Sequence, residues 1–473
     1  MCEECRDIRI IWGDFVVHMI EQSLEEFNLE NFVRAVSEVT GIDKNCLLVE
    51  VPVYIWPRLD FMYSCNENIT YFIMEENYVE TDWKDMISVH YINTSYQVSN
   101  TVMRVHIFLD REFNSNNYAG FFTLRKIDEV RFMLSYIYPN WEKLHEGKVN
   151  VMTYCKKIHI MGQSISFYTY PLFVQDNNVV TCAEANLISM SQYLHYKFDM
   201  SKIRIRDLEN AYEYRKTKSF PSQGLNFMQM LEILNYYNIP VVCKHYKDFG
   251  GDNEVFREFI DSSVESALPV LLGLEIKEEN EIVKRHVVQI IGHSSEFRRE
   301  YVIYDDSGAF LKQFKKDGFV ATIDWEKLTD FLNESKSFFI CPIHEKVYIL
   351  YQEFRGIFNK MVSDLSFMKT LGIDKEDTKF RCLLADNRNV KNFLASQLKN
   401  FTKDDGLVVQ EIKGILSVSM PHYLWLCEVE LKDCFVIWIA DPTYAKSTTR
   451  NIFINKIPIE CSEQFGLLGY DKK

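Results

Sequence analysis

Val180-Thr181-Cys182-Ala183-Glu184-Ala185-Asn186-Leu187-Ile188-Ser189-Met190 places a cysteine at the head of an amphipathic segment. Ala183, Leu187, Met190 and Leu194 recur at three- and four-residue steps, the period of a helix buried on one side, and Cys182 falls in its first turn. The unpaired N–H groups and the positive dipole end at a helix start favour an anionic sulfur. A free cysteine is equally at home as a small packed hydrophobe, so Cys182 becomes a nucleophile only if the rest of the chain supplies partners for it.

On either side of this helix the texture changes. Upstream, residues 149–154 and 164–170 read as short strands that end in the polar loop Gln175-Asp176-Asn177-Asn178. Downstream, helices are expected over 205–215 and 226–237, the second introduced by Gly224 and stopped by Pro240. The apolar runs 268–274, 286–291 and 301–304 then read as strands, followed by a helix over 324–333 and a strand over 338–342. Helices first and antiparallel strands afterwards make an α+β domain spanning about residues 151–345.

A thiol nucleophile needs a base to take its proton, and the base needs a third group to hold its tautomer. His286 opens the strand-like run His286-Val287-Val288-Gln289-Ile290-Ile291-Gly292. Asp305, 19 positions later, closes Tyr301-Val302-Ile303-Tyr304-Asp305, with the turn residues Asp306-Ser307-Gly308 after it. If the two runs pair as a hairpin through residues 294–300, His286 and Asp305 sit at the same open end of the sheet, within hydrogen-bonding reach. Each residue alone has an ordinary structural reading, as a satisfied strand-edge histidine and as turn chemistry. Together with Cys182 they form a candidate triad.

The segment Cys182-Ala183-Glu184-Ala185, the later Gln223-Gly224-Leu225-Asn226, the His286-led strand and the strand end Tyr304-Asp305 resemble the papain-like cysteine peptidase fold. The likeness covers about residues 165–345 and is nearest to the double-glycine-leader (bacteriocin-processing) peptidase branch and its uncharacterised bacterial relatives. It implies that Cys182 attacks a carbonyl, that His286 is the general base and that Asp305 orients it. It also implies an oxyanion-hole amide just before the cysteine, for which Gln175 is the candidate and Asn177 or Asn178 the substitutes. Neither a metal nor an organic cofactor is implied.

Flanking regions complete the chain of 473 residues, too long for one domain. Residues 1–150 read as an N-terminal α+β region: a helix over 23–39 closed by Gly41, then strands over 47–56, 69–74, 102–109 and 120–124. Arg125 there reads as one half of a structural ion pair. Residues 346–473 read as a C-terminal α+β region, with a helix over 389–398 and a hairpin of strands 424–431 and 435–440. His422 and Asp441 repeat the 19-residue histidine-to-aspartate spacing, and Cys382 is the cysteine candidate for a degenerate second site.

Composition sets further bounds. The content is 47% hydrophobic, 25% charged and 14% aromatic, values of a folded globular chain. A net charge of −14 argues against a nucleic-acid partner, and no apolar run approaches a membrane span. Twelve scattered cysteines without regular spacing read as reduced thiols in the cytoplasm, and Cys2 and Cys5 lack the second ligand pair of a zinc site. The expected function is a cytoplasmic cysteine peptidase or amidase on a protein or peptide substrate, its flanks selecting substrate or restraining activity with a regulatory protein partner. The alternatives are a transglutaminase- or deamidase-type acyl transferase, and a non-catalytic binding or scaffold protein that keeps the fold.

Overall fold

A computed structural model describes residues 6–12, 15–21, 29–51, 55, 59, 71–110, 112, 114–128, 131–144, 149–175, 180–208, 224–250, 252–277, 283–294, 300–333, 336–348, 350–356, 379–398, 406–430, 435–443 and 452–457. The chain is α+β and divides into two compact units, Met1–Ile239 with Leu271–Phe338, and Pro240–Val270 with Phe339–Lys473. Residues 1–150 and most of the expected central domain therefore share one unit. The physical reason is strand exchange across position 150, as the sheets show.

In the first unit the strands run β1 (Arg6–Trp12), β2 (Phe15–Glu21), β3 (Tyr71–Tyr78), β4 (Val102–Phe108), β5 (Tyr118–Ile127), β6 (Arg131–Pro139), β7 (Val149–Val151), β8 (Tyr154–Ile160), β9 (Gln163–Thr169) and β10 (Leu172–Phe173). One antiparallel sheet has the order β1-β2-β3-β4-β5-β6-β10, and β8 and β9 form a separate hairpin. β10 comes from the expected central domain yet adds to the N-terminal sheet. β7 goes the other way, as described below.

Helix α1 (Leu29–Thr40) buries Phe32, Val33 and Val36 at helical spacing, and Gly41 ends it at φ 68°. Residues 23–28 of the expected helix lie outside the described residues. The strand expected over 47–56 is corrected: residues 44–50 form helix α2 (Lys44–Glu50), capped by Asp43, whose carboxylate accepts from the Asn45 N–H at 2.7 Å. Leu47 and Val51, four apart, are fully buried while Val49 is 66% exposed, a helical rather than alternating pattern.

Helix α3 (Thr81–Val89) packs beside this sheet. Glu80, just before it, pairs with the buried Arg125 of β5 at 3.3 Å, so Arg125 is held in a structural ion pair. Helix α4 (Cys182–Phe198) and helix α5 (Phe227–Tyr236) follow. The helix expected over 205–215 is a single 3-10 turn, Ile205–Asp207, before residues outside the described set.

β11 (Val241–His245) and helix α6 (Asn253–Glu265) belong to the second unit. The first unit resumes with β12 (Val270–Lys277), β13 (Val283–Ser294), β14 (Glu300–Tyr304), β15 (Val320–Asp324) and the short helix α7 (Trp325–Thr329). β12, β13, β14 and β15 are successive neighbours, and β7 pairs with the far end of β13. Gly292 is needed there: a Cβ would lie 2.0 Å from the carbonyl oxygen of Asn150 on β7.

The second unit continues with β16 (Phe338–Pro342), a neighbour of β11, then β17 (Lys379–Asp386), helix α8 (Asn387–Gln397), helix α9 (Gly406–Ser417), β18 (Tyr423–Glu430), β19 (Phe435–Ala440) and β20 (Ile452–Ile457). The sheet order is β17-β18-β19-β20, and Leu383, Val390, Leu394, Ile412, Leu424 and Leu426 form its core with the two helices. No helix among the described residues is long and apolar enough to cross a membrane.

Candidate active site

Helix α4 is built to present Cys182. Thr181 is its N-cap, and Glu184 reaches back to accept the Thr181 backbone N–H at 2.8 Å and its hydroxyl proton. Glu184 is therefore a buried capping residue, placed where a carboxylate satisfies the helix dipole. Beyond the first turn nearly the whole helix is buried, including Asn186, Ser189 and Gln192 among its apolar residues. Cys182 itself is half-buried, at the edge where the helix meets solvent.

β13 and β14 pair antiparallel, with Gln289 opposite Tyr304 and a bulge between Ile290 and Gly292. This leaves His286 on the part of β13 beyond the β14 ladder and Asp305 as the first residue past β14. The two meet there: His286 Nε2 lies 2.7 Å from Asp305 Oδ1. The Asp305 carboxylate is completely buried and heavily solvated by the protein. Its Oδ1 also accepts from the Ser307 N–H and hydroxyl, both at 3.2 Å, and its Oδ2 from the N–H groups of Phe310 at 2.8 Å and Leu311 at 3.2 Å. Gly308, at φ 72°, lets the chain turn back tightly enough for those donors to converge.

The electrostatics follow from this arrangement. Burial opposes charge on the His286 imidazole, but the Asp305 carboxylate and its hydrogen bond, with a smaller contribution from hydrogen bonding to Cys182, hold the ring well above the ordinary histidine range. Burial likewise pushes Asp305 up, and the His286 charge and hydrogen bond with the Leu311 and Ser307 N–H groups pull it below the usual carboxylate value. With Nε2 engaged by Asp305, Nδ1 is the nitrogen left to face the Cys182 sulfur. A thiol, an imidazole and a buried carboxylate thus stand in sequence, the order needed to move a proton away from sulfur.

His286, Asp305 and Asp306 also bring potential ligand atoms within 4.8 Å of one another. His286 Nε2 and both Asp305 oxygens already take part in hydrogen bonds, to each other and to N–H and O–H donors.

Of the other residues singled out in the sequence, Gln175 follows β10 and is half-buried, whereas Asn177 and Asn178 lie outside the described residues. Gly224 lies close to the N-cap: a Cβ there would stand 3.2 Å from Thr181 Oγ1. In the second unit His422 binds Asp386 at 2.7 Å, not Asp441, whose carboxylate caps a turn by accepting from the Thr443 N–H at 2.8 Å. Cys382 is buried directly opposite Cys427 on β18. These residues form no second cysteine, histidine and aspartate relay. Cys2 and Cys5 lie outside the described residues.

Three buried polar residues at the site escaped the sequence reading: Asn186, Gln289 and Asp306. For two of them the signal is polarity inside an apolar run, Asn186 within Ala185 to Ile188 and Gln289 within Val287 to Ile291, whereas Asp306 sits among turn residues. Gln289 Nε2 donates to the Asn186 backbone carbonyl at 2.9 Å, and its Oε1 accepts the Tyr170 hydroxyl proton at 2.6 Å. Compared with protein-family models, curated proteins and solved structures, the chain matches none.

Proposed function

We propose that this chain is a papain-like thiol hydrolase, a peptidase or amidase that cleaves a protein or peptide through an acyl-thioester on Cys182. The observation that carries the reading is the buried Asp305 carboxylate holding His286 at 2.7 Å, with Cys182 on the first turn of a capped helix near enough to help raise the pKa of the same imidazole.

In the first step the Cys182 sulfur bonds to the substrate carbonyl carbon and its proton passes to His286. The carbonyl oxygen becomes an oxyanion, with the Cys182 backbone N–H and the Gln175 amide as its proposed donors. Collapse of this intermediate breaks the C–N bond, and His286 gives its proton to the departing amine. Water then attacks the thioester carbon, passing a proton to His286; collapse of the second oxyanion breaks the C–S bond and His286 returns the proton to the sulfur. The carboxylate product leaves and the thiol reforms. Asp305 keeps its negative charge throughout and stabilises the imidazolium. Every group in this cycle is a side chain, a backbone N–H or water. An amine in place of water would give acyl transfer, and a glutamine side chain as substrate would give deamidation, through the same relay.

The test is thiol labelling of the full chain with iodoacetamide near neutral pH, read by peptide mass spectrometry. Cys182 is expected to react faster than the other eleven cysteines and to lose that advantage in His286→Ala. Uniform labelling, or an advantage that survives His286→Ala, would replace the hydrolase reading with that of a binding or scaffold protein.

A further inference from the structure

Asn186 lies one helical turn beyond Cys182 and is completely buried. Its Nδ2 stands 2.7 Å from the Cys182 carbonyl oxygen, 2.9 Å from the Val287 carbonyl oxygen and 3.0 Å from Asp306 Oδ1. Each acceptor belongs to one arm of the relay. The first is the backbone of the thiol residue itself, the second belongs to the residue after His286, and the third to the residue after Asp305.

The orientation of this amide is dictated by chemistry. Two carbonyls and a carboxylate only accept, so the nitrogen and not the oxygen must face them. Two N–H hydrogens serve three acceptors, so one hydrogen is shared. The Asn186 backbone is tied in turn, through its carbonyl, to Gln289 of β13. No other residue type of this size offers two donors from one planar group. An aspartate would set a second carboxylate against Asp306, and an aliphatic residue would remove the one side-chain group that donates to all three acceptors.

We propose that Asn186 is the positioning residue of the site: its amide fixes the spacing between the thiol on α4, the imidazole on β13 and the carboxylate after β14. It touches none of the reacting atoms. This rests on the hydrolase reading of Cys182, His286 and Asp305. A displacement on the order of 1 Å between nucleophile and base can cost about 10²-fold in rate, which is the scale of effect one such tie can control.

The experiment compares the pH profile of Cys182 alkylation by iodoacetamide in the full-length wild type, Asn186→Ala and Asp306→Ala, alongside circular dichroism and thermal melting. If Asn186 positions the relay, Asn186→Ala loses roughly 10- to 100-fold in alkylation rate at pH 6 and much less at pH 9, where any thiol ionises without help. A merely structural asparagine would lower the melting temperature and leave the shape of the profile alone. Asp306→Ala removes one of the three acceptors while keeping Asn186, and is expected to change the profile in the same direction by less. It carries the test if Asn186→Ala does not fold. A wild-type-shaped profile in a folded variant overturns the proposal. Wild-type protein without His286-dependent labelling would instead overturn the hydrolase reading beneath it.

Discussion

Replacing Asp305 by asparagine preserves shape and removes one buried negative charge. In the wild type this carboxylate accepts from five donors: His286 Nε2 and two Ser307 groups on Oδ1, and the Phe310 and Leu311 N–H groups on Oδ2. An asparagine has one oxygen. If it faces Phe310 and Leu311, its NH2 faces the Ser307 donors and His286 Nε2. The imidazole can adapt only by giving up the Nε2 proton and carrying its proton on Nδ1, the nitrogen that should receive the proton from sulfur.

Two donor-to-donor conflicts at roughly 1–3 kcal/mol each set the stability loss at about 2–6 kcal/mol. The same loss of a charge partner leaves burial to act on the imidazole without its main opposing support, so the His286 pKa falls. An ordinary thiol with a reference pKa near 8.5 is only about one part in 300 thiolate at pH 6. Asp305→Asn should therefore cut alkylation of Cys182 at pH 6 by about 10²-fold and approach the wild-type rate at pH 9. Iodoacetamide labelling across pH 5.5–9, a range chosen around the ordinary histidine value of ~6.5, reads both limbs. Equal rates at pH 6 in folded Asp305→Asn and wild type would refute the assignment of Asp305 as the group that supports His286.

Other consequences are as direct. His286 has its pKa raised on folding, so its pairing stabilises the fold fully below the unfolded value of 6.5 and less as pH rises through the folded value. Asp305 has its pKa lowered, so its contribution is present above 3.8 and fades as pH falls below that. The stability difference between wild type and His286→Gln, from urea melts, should be greatest between these limits and shrink on both sides. A flat difference across pH would contradict the ion pair. Glu184→Ala removes the acceptor of the Thr181 N–H and should cost about 1 kcal/mol in chemical denaturation; an unchanged midpoint would show the cap contributes nothing. Arg125→Met leaves Glu80 buried without its cation and should cost roughly 3–5 kcal/mol, whereas a neutral result would mean that the pair contributes nothing to stability.

What could be read locally was read well where periodicity and caps agreed. The apolar steps from Ala183 to Leu194 mark helix α4, and Asn226 caps α5 through the Gln229 N–H. Residues 47–51 show the opposite case. Leu47, Leu48, Val49 and Val51 form an apolar, partly β-branched run that favours a strand, yet they lie in and just after α2, because Asp43 caps it and Leu47 and Val51 find a common buried side. Helices α6 and α9 were not anticipated. In α6, Phe256, Phe259, Ile260 and Val264 are buried at helical spacing behind an Asp252 cap.

Legible in the sequence alone are the α+β class, helix α4 with Cys182 at its head, the strand that carries His286 and the strand end before Asp305, although β13 starts three residues ahead of His286. All follow from local period and turn chemistry. Only the tertiary structure decided the exchange of β7 and β10 between the two sheets of the first unit, the five-donor cradle around Asp305 and the Asn186 amide between α4 and β13. Those depend on residues over 100 positions apart, such as Asn186 and Val287, meeting in a buried space where every polar group must find a partner. That requirement is met jointly by the folded chain, and no local window of sequence contains it.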